Sequence, residues 1–102
     1  MSIKKQFLKS KDTYKITWSI DKKTAAEAKS INLAGSFNDW SMNSAPFKKL
    51  KNGTFKLVME LPKDAEYQFR YVVNGKDWIN DDQADGFTDN LTSNEQNCIL
   101  AL

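Results

Sequence analysis

Alternation of apolar and polar residues, repeated along most of the chain, is the feature that most limits what this sequence can fold into. The clearest example spans residues 13–20, TYKITWSI, in which every second side chain is apolar. Successive side chains of a strand point to opposite faces of a sheet, so this pattern predicts a strand with one buried face. Comparable stretches at 31–35, 55–61 and 67–73 bring the prediction to at least four strands.

Turn residues separate these stretches. Asn52-Gly53 and Asn74-Gly75 stand between strand-like runs, and the Asn-Gly pair suits the positive φ angles of tight type I′ hairpins. Consecutive strands are therefore predicted to pair in antiparallel fashion. Residues 3–8 and 97–102 are candidates for edge strands.

Two segments lack the alternation. Residues 24–29 have a helix-forming composition but are too few to be stable alone, so they are predicted to form a strand or a single helical turn. Residues 80–96 are rich in Asp, Asn, Ser and Thr and are predicted to be the least structured part of the chain.

These patterns predict an all-β fold, an antiparallel β-sandwich of about seven strands, because two sheets can bury their apolar faces against each other. A closed barrel is the alternative architecture. The chain has 102 residues, enough for one hydrophobic core but not for two. A single domain over residues 1–102 is therefore expected.

The charge and the cysteine content limit the kinds of partner and the cellular compartment that are expected for this chain. The net charge is only +2, and the lysines of the first half mostly alternate with apolar residues instead of forming a dense basic cluster. Nucleic acid is therefore not the expected partner. Cys98 is the single cysteine, and no stretch reaches the roughly 20 apolar residues of a membrane span. We expect a cytoplasmic protein without a membrane partner.

Two tryptophans lie in polar, turn-rich surroundings. Trp40 ends the run GSFNDW, and Trp78 follows the Asn74-Gly75 turn. Since burying an indole is strongly favourable, one that is left among Asn, Asp and Ser is expected to present a flat apolar face to a ligand. Trp18, within perfect alternation, is expected in the core. For Trp78 an alternative remains, which is to cap the sheet beside Ile79.

Three motifs occur in order: INLAGSFNDW at 31–40, NGTF at 52–55 and YQFRYVVNGKDW at 67–78. Together they resemble carbohydrate-binding module family 48. That family includes the early-set domains at the N-terminus of isoamylases and glycogen-branching enzymes, and the glycogen-binding domain of the AMP-activated protein kinase beta subunit. The likeness covers about residues 13–100. It implies an immunoglobulin-like sandwich that binds α-1,4-linked glucan such as glycogen, starch or maltooligosaccharide.

The resemblance also implies a set of sugar-contacting residues. Trp40 and Trp78 match two tryptophans that stack on glucose rings, and Arg70 matches a lysine that hydrogen-bonds the sugar. Near the C-terminus Gln96 takes the position of a contacting asparagine. The other candidates of the same loop are Asn97, Thr92 and Asn94.

The chemistry of a sugar ring suits these residue types. Glucose has one face of C–H groups and a rim of hydroxyls, so its binder needs an apolar platform with donors and acceptors at the edge. Two tryptophans with amide and guanidinium groups meet that need. Because each contact is weak, the affinity is expected to lie between about micromolar and millimolar Kd.

Other functions are less favoured. The sequence contains no histidine, which argues against His-based catalysis and the usual zinc sites, so no catalytic residue, cofactor or metal is expected. The acidic stretch from Asp81 fits a calcium loop poorly, because Thr92 stands where a glutamate is needed; a solvated loop is expected there. Binding of single-stranded nucleic acid is the weaker alternative. The stronger one is a protein-interaction sandwich that docks a glucan-processing enzyme or a kinase subunit.

Overall fold

The computed structural model describes residues 2–25, 28–89 and 95–102. Within them the chain forms strands and one short 3-10 helix, η1, which spans Ser36–Asn38. The strands are β1 Ser2–Leu8, β2 Thr13–Ile20, β3 Ile31–Gly35, β4 Lys48–Lys49, β5 Phe55–Pro62, β6 Glu66–Val73, β7 Asp77–Ile79, β8 Gly86–Asp89 and β9 Gln96–Ala101. The expected all-β class is confirmed, with nine strands in the described part of the chain instead of about seven because several are very short.

The strands form two antiparallel sheets. The first sheet has the order β1-β2-β5-β4, and the second has the order β3-β6-β9-β8, with β7 also pairing with β6. Residues of both sheets meet in one apolar cluster, so the immunoglobulin-like sandwich is confirmed over the closed barrel. No helix in the described ranges is long and apolar enough to cross a membrane.

Alternation determines which side chains fill the core. Trp18 of β2 is 0% exposed, and its ring meets Phe69 of β6 edge-on at 6.1 Å between centroids and lies 6.4 Å from Phe37. The expectation that Trp18 belongs to the core is confirmed. An indole of this size buried between two sheets stabilises the sandwich by about 3 kcal/mol. The remaining fully buried apolar residues include Ile16, Ile20, Leu33, Tyr71 and Leu100.

The turn at Asn74-Gly75 has the predicted type I′ geometry. Asn74 and Gly75 have φ angles of 55° and 73°, and the N–H of Lys76 donates to the carbonyl of Val73 at 3.2 Å. The turn joins β6 to β7, and it places Trp78 on the strand that returns along β6.

The turn at Asn52-Gly53 differs from the prediction. Only Gly53 has a positive φ, 88°, and its N–H donates to the carbonyl of Leu50 at 2.9 Å. The tight type I′ geometry is wrong here because residues 50–54 separate the paired Lys49 and Phe55, and this longer connection needs just one left-handed residue.

The edge strands of the sandwich agree only in part with the prediction. β1 is an edge strand as expected, but β9 lies between β6 and β8 and is not at an edge. β8 itself, Gly86–Asp89, falls inside the stretch expected to be least structured. Its four residues alternate in burial, but the run is too short to stand out in a polar sequence.

Asp81 is fully buried, which corrects the expectation of a solvated acidic loop. Its Oδ2 accepts a hydrogen bond from the hydroxyl of Tyr71 at 2.6 Å, and its Oδ1 accepts one from the N–H of Gln83 at 2.8 Å. Its own N–H donates to the sulfur of Cys98 at 3.2 Å. A carboxyl can be buried when its oxygens are paired in this way. Cys98 is also buried, and burial raises the pKa of its thiol.

We expect Tyr71→Phe to lower the free energy of unfolding by about 2 kcal/mol, because it leaves Oδ2 of the buried Asp81 without its donor. Urea unfolding followed by circular dichroism measures the change. Tyr67→Phe is the control, because the Tyr67 hydroxyl donates to an exposed carbonyl, that of Pro62, and its loss should cost less than about 1 kcal/mol. Equal effects of the two substitutions would contradict the assigned role of Asp81.

An ion pair between Lys5 and Asp85 joins the two sheets. Lys5 Nζ of β1 lies 2.6 Å from Asp85 Oδ2 and also donates to the carbonyl of Ala101 in β9, while the N–H of Ala101 donates to Asp85. Partial burial of Asp85 opposes its ionisation. The hydrogen bonds from Lys5 and Ala101 outweigh that effect and lower the pKa of the carboxyl below its usual range.

Because of this ion pair, we expect the folded protein to lose stability in acid. Because the pKa of Asp85 is lower in the folded chain, the unfolded chain takes up this proton first as the pH falls. Stability from Asp85 is therefore present above about pH 4 and is lost as the pH falls through the lower, folded pKa. We expect the thermal midpoint of Asp85→Asn to fall less than that of the parent chain between about pH 6 and pH 3. Parallel pH profiles of the two proteins would contradict this.

Candidate functional site

The outer face of the second sheet carries a row of side chains that includes one of the two candidate tryptophans. Because Tyr71 of β6 points into the core, its neighbour Val72 points outward, yet Val72 is fully buried. The strand partners of Val72 are Asn32 and Trp78, and Asn32 in turn bridges to Pro46. Directly paired residues share a face of the sheet, so Pro46, Asn32, Val72 and Trp78 form one row, here named the outer row. Trp78 is half-buried at its end.

Trp40 lies in the connection that leaves β3. The side chain of Asn38 closes η1, since its Oδ1 accepts the N–H of Gly35 and its Nδ2 donates to the carbonyl of Leu33, both at 2.9 Å. Asn38 is therefore a turn former. The N–H of Trp40 then donates to the carbonyl of Gly35 at 2.9 Å, which fixes the backbone of Trp40 at the end of β3.

The backbone at Trp40 is strained. Asp39 and Trp40 are consecutive residues with φ angles of 55° and 59°, a left-handed conformation that costs residues other than glycine about 1 kcal/mol or more each. The Trp40 side chain is only half-buried and is not part of the apolar core cluster. Backbone strain that the fold retains makes Trp40 a candidate functional position.

Arg70 points outward between the core residues Phe69 and Tyr71, but it is only 6% exposed. Its Nε donates to Asn80 Oδ1 at 2.8 Å, and one terminal nitrogen donates to the carbonyl of Trp78 at 3.1 Å. The other terminal nitrogen pairs with Glu95. The guanidinium is therefore engaged by protein acceptors on three sides.

The C-terminal candidates are divided between described and undescribed positions. Gln96 is exposed at the start of β9, and its carbonyl accepts a hydrogen bond from Asn80 Nδ2 at 2.7 Å. Asn97 is buried, and its Nδ2 donates to Gln68 Oε1 at 3.1 Å on the outer face. Thr92 and Asn94 lie outside the described residues.

The structure brings several candidates together through a residue that sequence reasoning missed. Asn80 links the guanidinium of Arg70 to the backbone of Gln96, and Arg70 bonds to the backbone of Trp78. Trp40 follows β3 and its N–H is bound to Gly35, whose strand partner is Phe69, the residue before Arg70. The spacing of Trp78 and Asn80, two residues apart and hence on one face of a strand, was the available signal for Asn80.

Two grooves are lined by residues that the structure describes. One groove of about 290 Å³ is lined by Lys22, Leu50 and Gly53 among others. Another of about 210 Å³ lies beside Ile31 and Asn74. Neither groove is lined by a tryptophan.

Comparison with known proteins decides the family. Residues 12–101 match the sequence model that describes the glycogen recognition site of AMP-activated protein kinase. The chain belongs to this family. Its members are carbohydrate-binding modules, and this glycogen-recognition module therefore has glucan as its ligand class.

The module also resembles part of much longer proteins. The 1,4-alpha-glucan branching enzyme of Mycobacterium tuberculosis (strain CDC 1551 / Oshkosh) is 38% identical over 65 residues, and that of Mycobacterium bovis (strain BCG / Pasteur 1173P2) is equally similar over the same length. These matches cover 62% of the module but only 9% of each enzyme. The similarity thus concerns a small region of those enzymes.

Proposed function

We propose that the module binds α-1,4-linked glucan, as in glycogen or starch, by stacking Trp40 and Trp78 on glucose rings without catalysing a reaction. The observation that carries the proposal is that both indoles are half-buried, Trp78 on β7 and Trp40 in the connection that follows β3. Trp78 ends the outer row, and Trp40 is tied to the neighbouring strand by its bond to Gly35. Family membership supplies the ligand class.

The polar groups around the indoles complete the proposed site. Gln96 is exposed at the start of β9, and we assign its amide to the rim hydroxyls of a stacked sugar. Asn97 lies beside it on the outer face, and Thr92 and Asn94 extend the proposed set along the sequence. Amide and hydroxyl groups both donate and accept, which is what a ring of hydroxyls requires.

Two further features belong to this proposal. The branching enzymes carry a similar region within a much longer chain, which supports a glucan-metabolising enzyme as a partner of the module. The thiol of Cys98 is free and buried, which is compatible with a reducing compartment, so we propose the cytoplasm as its location.

Co-sedimentation with glycogen tests the ligand class. We expect the module to sediment with glycogen, to be released by maltoheptaose and to be retained in the presence of cellohexaose, because the β-1,4 links of cellohexaose give a straight chain and the proposed ligand is the curved α-1,4-linked one. Salt-sensitive retention on a single-stranded oligonucleotide, with no retention on glycogen, would contradict the proposal and favour nucleic acid. Retention on neither polymer would also contradict it and leave protein docking.

A further inference from the structure

Arg70 occupies a break in the hydrogen-bonded ladder along β6. β9 pairs with residues 66–69 of this strand, and β7 pairs with residues 71–73 along the same edge. Arg70 lies between the two registers. At this junction two separate strand ends meet, and the regular ladder of strand pairing does not bridge them.

The guanidinium bridges this junction. Its acceptors are the carbonyl of Trp78 in β7, the side chain of Asn80 just after β7 and the carboxylate of Glu95 just before β9. A planar fork of donors suits several acceptors in different directions, whereas a lysine ammonium acts as a single point. The Arg70 side chain is 7% exposed and that of Glu95 is 60% exposed, so the inner partner of the pair is the arginine.

We propose that Arg70 is a positioning residue for glucan binding, which holds Trp78 in place instead of donating to the sugar. β7 has three residues, and each of them pairs with β6. The bond from Arg70 to the carbonyl of Trp78 therefore adds a fourth restraint on β7. It acts at the residue whose indole is proposed to stack on the sugar. This rests on the proposed function and gives Arg70 a different role from the sugar-bonding one that the resemblance implies.

The test uses one readout that needs no glucan. In a Trp40→Phe background the remaining indoles are Trp18, which is fully buried, and Trp78, so acrylamide quenching reports on Trp78. We expect Arg70→Met and Asn80→Ala each to raise the quenching constant at least about twofold, because the first removes the bond to the Trp78 carbonyl and the second removes the acceptor of Arg70 Nε just after β7. Lys56→Met, which removes an exposed cation on the other sheet, should leave it unchanged. Thermal unfolding of each variant verifies that it is folded.

The second readout is maltoheptaose affinity with Trp40 in place. We expect Arg70→Met and Asn80→Ala each to weaken binding about tenfold, and Lys56→Met less than twofold, since about 1.4 kcal/mol corresponds to tenfold. Asn80→Ala is decisive because it leaves the arginine present and frees one of its donors. Unchanged or tighter binding by Asn80→Ala, or unchanged quenching of Trp78 in Arg70→Met, would overturn the positioning role. If the parent protein binds no glucan, the proposed function is wrong. The quenching data still test whether Arg70 restrains Trp78, because that readout needs no glucan.

Discussion

Gly35→Ala is expected to lower the free energy of unfolding by about 3 kcal/mol, which corresponds to a fall of about 12 °C or more in the thermal midpoint. A Cβ at this position would lie 2.5 Å from the carbonyl oxygen of Gln68 and 2.8 Å from the ring of Phe37. The first of these atoms belongs to the backbone of β6 and cannot rotate away. β3 would have to separate from β6 at the residue that also accepts the N–H of Trp40.

Gly86→Ala is the matched control for this substitution. Its Cβ would meet the nearest atom, in Ile99, at 3.6 Å, which is ordinary van der Waals contact. We expect the free energy of unfolding to change by less than about 0.5 kcal/mol. Calorimetry on the two variants gives the comparison. A Gly35→Ala protein as stable as Gly86→Ala would show that β3 and β6 do not approach as closely as described.

Trp40→Ala and Trp78→Ala are each expected to weaken maltoheptaose binding by about 2 kcal/mol or more, about 30-fold, while the chain stays folded. Each indole is a half-buried apolar plate outside the main core, so its loss removes a stacking surface and leaves the sandwich intact. Isothermal titration of the variants measures the loss. We also expect Trp40→Ala to lose less stability than most truncations of a large side chain. The left-handed backbone at residue 40 costs an alanine no more free energy than it costs a tryptophan.

Phe7→Ala controls for the loss of an aromatic surface in general. Phe7 is 40% exposed on β1 of the other sheet, where its ring lies 5.2 Å from that of Tyr14. We expect its removal to leave maltoheptaose affinity within about twofold. A drop equal to that of the tryptophan variants would mean that binding depends on apolar surface without a defined site. Unchanged affinity of a folded Trp40→Ala protein would remove Trp40 from the site.

Sequence periodicity was sufficient to predict the class of fold and the core, but not the course of every connection. The alternation around Trp18 reports directly which face is buried, because a strand has only two faces. The turn at Asn52-Gly53 and the strand Gly86–Asp89 were mispredicted, since the loop length that decides a turn type and the partner that stabilises a short strand both come from distant residues.

The candidate site was predictable in its aromatic members and not in its polar support. Trp40 and Trp78 are conspicuous because their neighbours are polar, which is a local property of the sequence. The contacts of Arg70 join positions 8, 10 and 25 residues away, and no local pattern contains that information. The same holds for Asp81, which looks like one more loop acid until Tyr71 and Cys98 are found around it.

The most direct test of the central claim is a titration of the unmodified chain with maltoheptaose, followed by intrinsic tryptophan fluorescence. Trp18 is fully buried in the core, so any change must come from the two half-buried indoles, Trp40 and Trp78. We expect a saturable change in emission with a Kd between about 1 μM and 1 mM. A flat response up to about 10 mM maltoheptaose, well beyond that range, would contradict the account.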